Sequence, residues 1–236
     1  MSVDERMVHD IVQKVMANMQ ISGSVSGMHG VFKDMNDAIN ASIEAQKKVC
    51  TMTLDQREQI ISLIRKKTHE NAEILANMGV NETGMGNVGD KILKHHLTAD
   101  KVPGTEDIST IAWSGDRGLT LVEMGPFGVI GAITPATNPS ETVICNCIGM
   151  LAGGNTVVFN PHPNAKKTTI YTINMINEAS IEAGGPDNIA VTVEAPTLDT
   201  SAFISSNRWT WSSNSSTFFR KESNRCRCWQ PTCISR

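Results

Sequence analysis

The chain has no apolar run long enough to cross a bilayer, so nothing in its 236 residues predicts a transmembrane helix. Basic residues are in no excess. Twenty-one Lys and Arg stand against 24 Asp and Glu, a net charge of −3, which leaves no electrostatic footprint for nucleic acid. The amino terminus carries Asp4 and Glu5 ahead of its apolar positions, where a secretory signal would be basic. Cysteine is sparse, with six in a chain that is 40% hydrophobic and long enough to bury one substantial core without covalent staples. Reduced thiols in a cytoplasmic protein are expected. A metal site is not expected, because Cys226, Cys228 and Cys233 have no fourth ligand nearby.

What is present falls into three parts. Residues 1–20 predict an amphipathic helix, with Val8, Ile11, Val12, Val15, Met16 and Met19 on one stripe, and residues 21–30 read as a flexible Ser/Gly linker. Such a helix either binds a partner surface or docks on its own subunit. Residues 31–200 predict an α/β domain. Phe32, Met35, Ala38, Ile39, Ser42, Ile43 and Val49 form one helical face, Leu54, Ile60, Ile61, Leu63 and Ile64 a second, and Thr68 can cap a third helix ending near Gly79. Strands follow at Leu119 to Glu123 and Val129 to Ile133, then a helix over Thr168 to Ala183 and a strand over Ile189 to Val193. Residues 201–236 are the third part.

Residues 123–163 are the most informative. The apolar run Val129 to Ile133 breaks at Thr134-Pro135-Ala136-Thr137-Asn138-Pro139, and a helix-like stretch leads through Gly153 and Gly154 into Thr156 to Phe159. A strand, helix, strand crossover builds a parallel sheet, whose ligands lie at the carboxyl ends of the strands. Thr134 to Pro139 and Asn160 to Pro163 fall there. Taken alone, Asn138 is a turn asparagine before Pro139, and His162 is a loop residue between prolines. Gly84, Gly86 and Gly89 have phosphate-loop spacing but follow a helix, so they read as turn glycines.

The strings ETGMGNVGDKILKH (82–95), PGTEDIST (103–110) and GPFGVIGAITPATNPSET (125–142) resemble the aldehyde dehydrogenase superfamily. Within it they are most similar to the CoA-acylating propionaldehyde and acetaldehyde dehydrogenases of bacterial microcompartments. The resemblance implies an incomplete aldehyde dehydrogenase-like α/β fold, with a parallel dinucleotide-binding sheet and flanking helices. It implies conversion of a short-chain aldehyde, coenzyme A and NAD to acyl-CoA and NADH through a cysteine thioester. Asn138 would donate to the oxyanion. Thr134, Pro135, Ala136 and Thr137 would line the dinucleotide, and Asn160, Pro161, His162 and Pro163 would lie by the adenosine ribose, although many superfamily members carry lysine where Asn160 stands. Residues 1–20 would be an encapsulation peptide for a microcompartment shell protein, giving a location in the lumen, and relatives of full length would be homo-oligomers. The family's nucleophilic cysteine has no counterpart here. Cys50, Cys145 and Cys147 sit in helical stretches that suit buried thiols better than catalysis. The chain is therefore expected to be an inactive portion of such an enzyme, or a non-catalytic fragment that binds a shell or partner through its first helix.

The third part holds three of four Trp, three of six Cys and five of nine Arg, with no helical or strand period. Asn207 to Arg236 can be encoded by a nucleotide string that, read one nucleotide later, gives TGGPGVVIQALFSGKKAIGAGAGNPPALV. Three of these glycines are forced, because each Trp codon is TGG and passes GG to the shifted codon. That string resembles the family's glycine-rich nucleotide-binding stretch, so a frameshift near residues 201–207 is expected to have produced an out-of-frame tail. A genuine, divergent carboxyl terminus is the alternative.

Overall fold

A computed structural model describes residues 27–206, 209–212 and 217–220. The expected helix over residues 1–20, most of the linker, and the cysteine-rich end of the tail lie outside the described residues. The chain enters through a turn at residues 27–30 into β1 (Val31–Phe32), a two-residue strand. Helix α1 (Met35–Val49) starts where Asp34 accepts the Asn36 amide, a side-chain cap that holds the Asp34 carboxyl below its ordinary range. Helix α2 (Leu54–Thr83) opens on a reciprocal box between Thr53 and Gln56 and stops at Gly84, which takes the left-handed conformation at φ 67°. Helix α3 (Val88–Lys101) is capped by Asn87. The antiparallel hairpin β2 (Ile111–Gly115) and β3 (Gly118–Val122) follows.

The remainder alternates strand and helix: β4 (Val129–Thr134), α4 (Pro139–Ala152), β5 (Thr156–Pro161), α5 (Lys166–Glu182), β6 (Ala190–Val193) and α6 (Leu198–Ser206). Strands β7 (Trp209–Ser212) and β8 (Thr217–Arg220) complete a six-stranded sheet of order β1-β6-β5-β4-β8-β7. The β1, β6, β5 and β4 pairings are all parallel. Strand β8 runs antiparallel to β4, with Gly131 opposite Phe218.

Strand β5 is buried along its whole length because helices cover both faces. Its residues alternate between two cores. Val157 and Phe159 face the larger one, with Ile60, Ile61 and Ile64 of α2, Ile144 and Ile148 of α4, and Ile173 and Ile176 of α5. Val158 joins Val129, Val191 and Val193 in the smaller one, with Ala38 and Ala41 of α1 and Ile204 of α6. The period of two in the strands and 3.6 in the helices converge on a layered α/β domain.

Two expectations are corrected. Phe32 is not on the first helical face but in β1, where pairing with Val193 of β6 fixes it in the core. Thr68 caps nothing: α2 runs unbroken through it, and its buried hydroxyl bonds back to the Ile64 carbonyl at 2.7 Å, so the expected second and third helices are one. The strand over Ala190–Val193 is paired on both sides, by β1 and β5, and β8 covers the other side of β4.

Candidate functional site

Parallel pairing in register sets the two expected loops side by side. Ile133 lies opposite Asn160 and Thr134 opposite Pro161, so β4 and β5 end together, and the His162 amide donates to the Thr134 carbonyl at 3.2 Å. Thr134 is buried and its hydroxyl has no hydrogen-bond partner. Pro135 and Thr137 are exposed and Ala136 is half-buried. Asn138 takes the N-cap position of α4, with Pro139 at the first helical turn, where its missing N–H costs nothing. Its side chain does not cap the helix; it faces α3 instead.

Lys91 and Lys94 are three residues apart on α3 and therefore share one face. Lys94 Nζ donates to Asn138 Oδ1 at 3.3 Å, and Lys91 Nζ donates to the Thr137 carbonyl at 3.0 Å. Lys91 is buried, as is Glu141, whose Oε1 lies 3.6 Å from the ammonium. A buried ammonium needs such a partner, since leaving water uncompensated would cost several kcal/mol, on the order of the penalty for one ion. Next to the pair, His95 Nδ1 contacts the Lys91 carbonyl at 2.6 Å and its Nε2 contacts the Ser140 hydroxyl at 2.8 Å. A carbonyl only accepts, so Nδ1 carries the proton, and in the neutral ring Nε2 accepts from Ser140. Burial holds His95 below its ordinary value, with the nearby Glu141 carboxylate opposing the shift.

These groups border an open cleft of 370 Å³ lined by Met85, Gly86, Asn87, Asp90, Lys91, Lys94, Thr137 and Asn138. Of the turn glycines, Gly86 thus shares a cleft with the loop after β4. Gly84 and Gly86 have positive φ, as turns require, whereas Gly89 lies inside the first turn of α3. Lys91, His95, Ser140 and Glu141 were not singled out by sequence reasoning. Their one available signal is the helical spacing of Lys91 and His95.

The second loop is arranged differently. The resemblance implies a ribose contact at Asn160, yet this side chain is buried and its amide is occupied: Nδ2 donates to the Ser201 hydroxyl and Oδ1 accepts from Thr200 at 2.8 Å. It ties the end of β5 to the start of α6. His162 is exposed, and its Nδ1 accepts from the Asn164 amide at 3.1 Å, which leaves Nε2 as the N–H end. Pro163 is exposed and opens a short 3-10 turn into α5. The amino end of α5, where a phosphate would find free N–H groups, already holds an anion. Glu82 of α2 accepts from the Lys167 amide at 2.7 Å, the Thr168 amide at 2.8 Å and the Thr168 hydroxyl at 2.7 Å.

None of the described thiols stands in this cleft. Cys147 is buried on α4, and burial pushes its thiol up to about 12. Cys145 is exposed on the same helix and is also raised by desolvation, while Cys50 closes α1. A thiol pushed upward holds less of the nucleophilic thiolate at neutral pH. No group of three or more His, Cys, Asp or Glu that could hold a metal occurs among the described residues. Among them, too, no helix is long and apolar enough to cross a membrane.

The aldehyde dehydrogenase family model matches residues 17–208. An acetylating acetaldehyde dehydrogenase of Bilophila wadsworthia is 46% identical over 204 residues, which is 83% of this chain and 42% of that protein. The solved propionaldehyde dehydrogenase from the fucose-utilisation microcompartment of Clostridium phytofermentans is 73% identical, covers 73% of this chain and 40% of its own, and superposes with a TM-score of 0.72. A Rhodopseudomonas palustris propionaldehyde dehydrogenase with bound propionyl-CoA is 45% identical over 74% of this chain and 39% of its own, also with a TM-score of 0.72. This chain thus spans less than half the length of these relatives. With the parallel sheet, its paired strand-end loops and this breadth of sequence identity, the chain belongs to the aldehyde dehydrogenase family.

Proposed function

We propose that the chain is the amino-terminal, cofactor-side portion of a CoA-acylating aldehyde dehydrogenase, acting on a short-chain aldehyde with NAD and coenzyme A. The observation that carries this reading is the placement of Asn138 in the lining of a cleft, after the loop that leads from β4 into α4, in a chain 46% identical to an acetylating acetaldehyde dehydrogenase. Asn138 is the oxyanion donor: its amide N–H would stabilise the negative charge that develops when a thiolate adds to the aldehyde carbonyl. Thr134 to Thr137 line the dinucleotide. His162 and Pro163, exposed at the end of β5, suit its adenosine end better than Asn160 does, because the Asn160 amide is engaged by α6. NAD would accept hydride and coenzyme A would take the acyl group.

The thiol that attacks the aldehyde is not among Cys50, Cys145 and Cys147, and Cys226, Cys228 and Cys233 belong to the aberrant tail, so the 236-residue chain turns over little or no substrate. Residues after about 201 are an out-of-frame tail, and removing one nucleotide there restores the glycine-rich continuation. The test is aldehyde- and CoA-dependent NADH formation by the chain as it stands and by the frame-restored chain, each with and without Asn138→Ala. The restored chain, read on past the glycine-rich stretch to the family's nucleophilic cysteine, is expected to be active and to lose about 10²-fold or more in kcat on Asn138→Ala, the usual cost of removing an oxyanion donor. Activity of the 236-residue chain that vanished on Cys145→Ala or Cys147→Ala would refute the assignment.

A second reading concerns residues 1–20. The family match begins only at residue 17, so the amphipathic stretch lies mostly ahead of it. This segment binds a microcompartment shell protein and places the chain in the lumen. Replacing Ile11 and Val15 with Glu puts charge on the apolar stripe and should abolish delivery of a fused reporter to microcompartments, while an unmodified 1–20 fusion that stayed outside would dismiss the reading.

A further inference from the structure

We propose that Lys94 and Lys91 are positioning residues for the oxyanion donor: Lys94 sets which end of the Asn138 amide faces the cleft, and Lys91 fixes the backbone that carries it. The inference rests on the reading of Asn138 as that donor.

A side-chain amide has two ends of nearly equal size and opposite chemistry, and only the NH₂ end can stabilise an oxyanion. Nothing in the loop's own backbone chooses between them, because the Asn138 side chain does not cap α4. Lys94 chooses. Its ammonium has three donors and no acceptor, so it can bind Oδ1 and is repelled by the NH₂ end. With Oδ1 held at 3.3 Å, rotation of the amide by half a turn would set donor against donor, and the NH₂ group is left as the free end. The cation on Oδ1 also polarises the amide and strengthens its N–H as a donor.

Lys91 acts one residue earlier. Its bond to the Thr137 carbonyl pins the peptide that precedes Asn138, and Glu141 balances its charge within the protein. Because the two lysines lie one helical turn apart on α3, a single rigid element delivers both contacts. Ser140 and His95 complete the support beneath, with the His95 ring held between the Lys91 carbonyl and the Ser140 hydroxyl. The side-chain contact is solvent-exposed and the backbone contact is half-buried. Lys94 can therefore be replaced without opening the core. Lys91 cannot be replaced alone, since that strands Glu141.

The experiment uses the 236-residue chain labelled with ¹⁵N, with the Asn138 side-chain NH₂ signals identified by their loss in Asn138→Asp. Lys94→Met is expected to shift both NH₂ proton signals and narrow their separation, while the rest of the amide spectrum stays in place. Lys94→Arg, which again offers only donors, should return them towards the original positions. Unmoved signals in Lys94→Met, or Lys94→Arg signals that stay with those of Lys94→Met, would overturn the role of Lys94. For Lys91, the double change Lys91→Met with Glu141→Met removes both buried charges together and should speed hydrogen exchange at the Thr142 amide, which donates to the Asn138 carbonyl at 3.1 Å. Unchanged exchange there overturns the backbone half. Neither readout requires turnover, so both are decided apart from the oxyanion assignment, which the Asn138→Ala kinetics decide.

Discussion

Replacing Glu82 with Ala should destabilise the domain by about 2 to 3 kcal/mol, far more than a half-exposed glutamate ordinarily contributes, since surface changes usually stay within about 0.5 kcal/mol. Glu82 spans from the end of α2 to the start of α5 and closes three hydrogen bonds there. Lys167 is exposed, so water can replace the carboxylate at its amide and little is lost. Thr168 is buried, and its amide and hydroxyl would each lose an acceptor, about 1 kcal/mol apiece. Removing a negative charge from the positive end of a helix adds roughly 0.3 to 1 kcal/mol. Glu82→Gln keeps an acceptor oxygen and loses the charge, so it should fall at about half the Ala value. Urea denaturation with an unchanged slope gives these differences from the shift in midpoint. The consequence reaches the site because α5 begins directly after the His162 to Ala165 turn. An Ala variant within about 0.5 kcal/mol of the parent would show that the carboxylate is not anchoring α5, and the reasoning would fail.

Gly30→Ala should cost about 3 kcal/mol or prevent folding: Gly30 sits at φ 76°, and an added Cβ would come within 2.2 Å of Asn177 Nδ2 and 2.4 Å of the Ala190 carbonyl, both held by the bond between them. Thermal unfolding measures this, and a tolerated alanine would mean that the entry into β1 is not packed as described. Burial lowers His95 from 6.5, so between its folded value and 6.5 the native state binds fewer protons than the unfolded chain. Its contribution is then fully present above about pH 6.5 and declines as pH falls below that, by at most about 1.4 kcal/mol per pH unit. The difference in unfolding free energy between the parent and His95→Gln should shrink across this window on acidification, and a constant difference from pH 7.5 to 5 would contradict a buried neutral histidine.

The β4-α4-β5 unit was legible because its signals are local. An apolar run, the Pro135 and Pro139 breaks, and the Gly153-Gly154 stop mark each boundary within a few residues, and parallel pairing then had to bring Thr134 and Pro161 together. Strand β1 was not legible, since two residues show no period and Val31–Phe32 becomes a strand only by pairing with β6. Thr68 misled because a hydroxyl that caps a helix and one that bonds back four residues within a helix look alike in sequence. The support beneath Asn138 was hidden for another reason. Lys91 and Glu141 are fifty positions apart, and nothing local indicates that a lysine and a glutamate will be buried against each other. Asn160 shows the same limit, because its engagement with Thr200 and Ser201 depends on where α6 packs.

The most direct measurement is initial NADH formation by the purified chain with its reading frame restored near residue 201, beside the 236-residue chain, with aldehyde, coenzyme A and NAD each omitted in turn. The account predicts formation by the restored chain that requires all three compounds, and none above background by the 236-residue chain. A restored chain that makes no NADH with any short-chain aldehyde, or makes it equally well without coenzyme A, would contradict the assignment to a CoA-acylating aldehyde dehydrogenase.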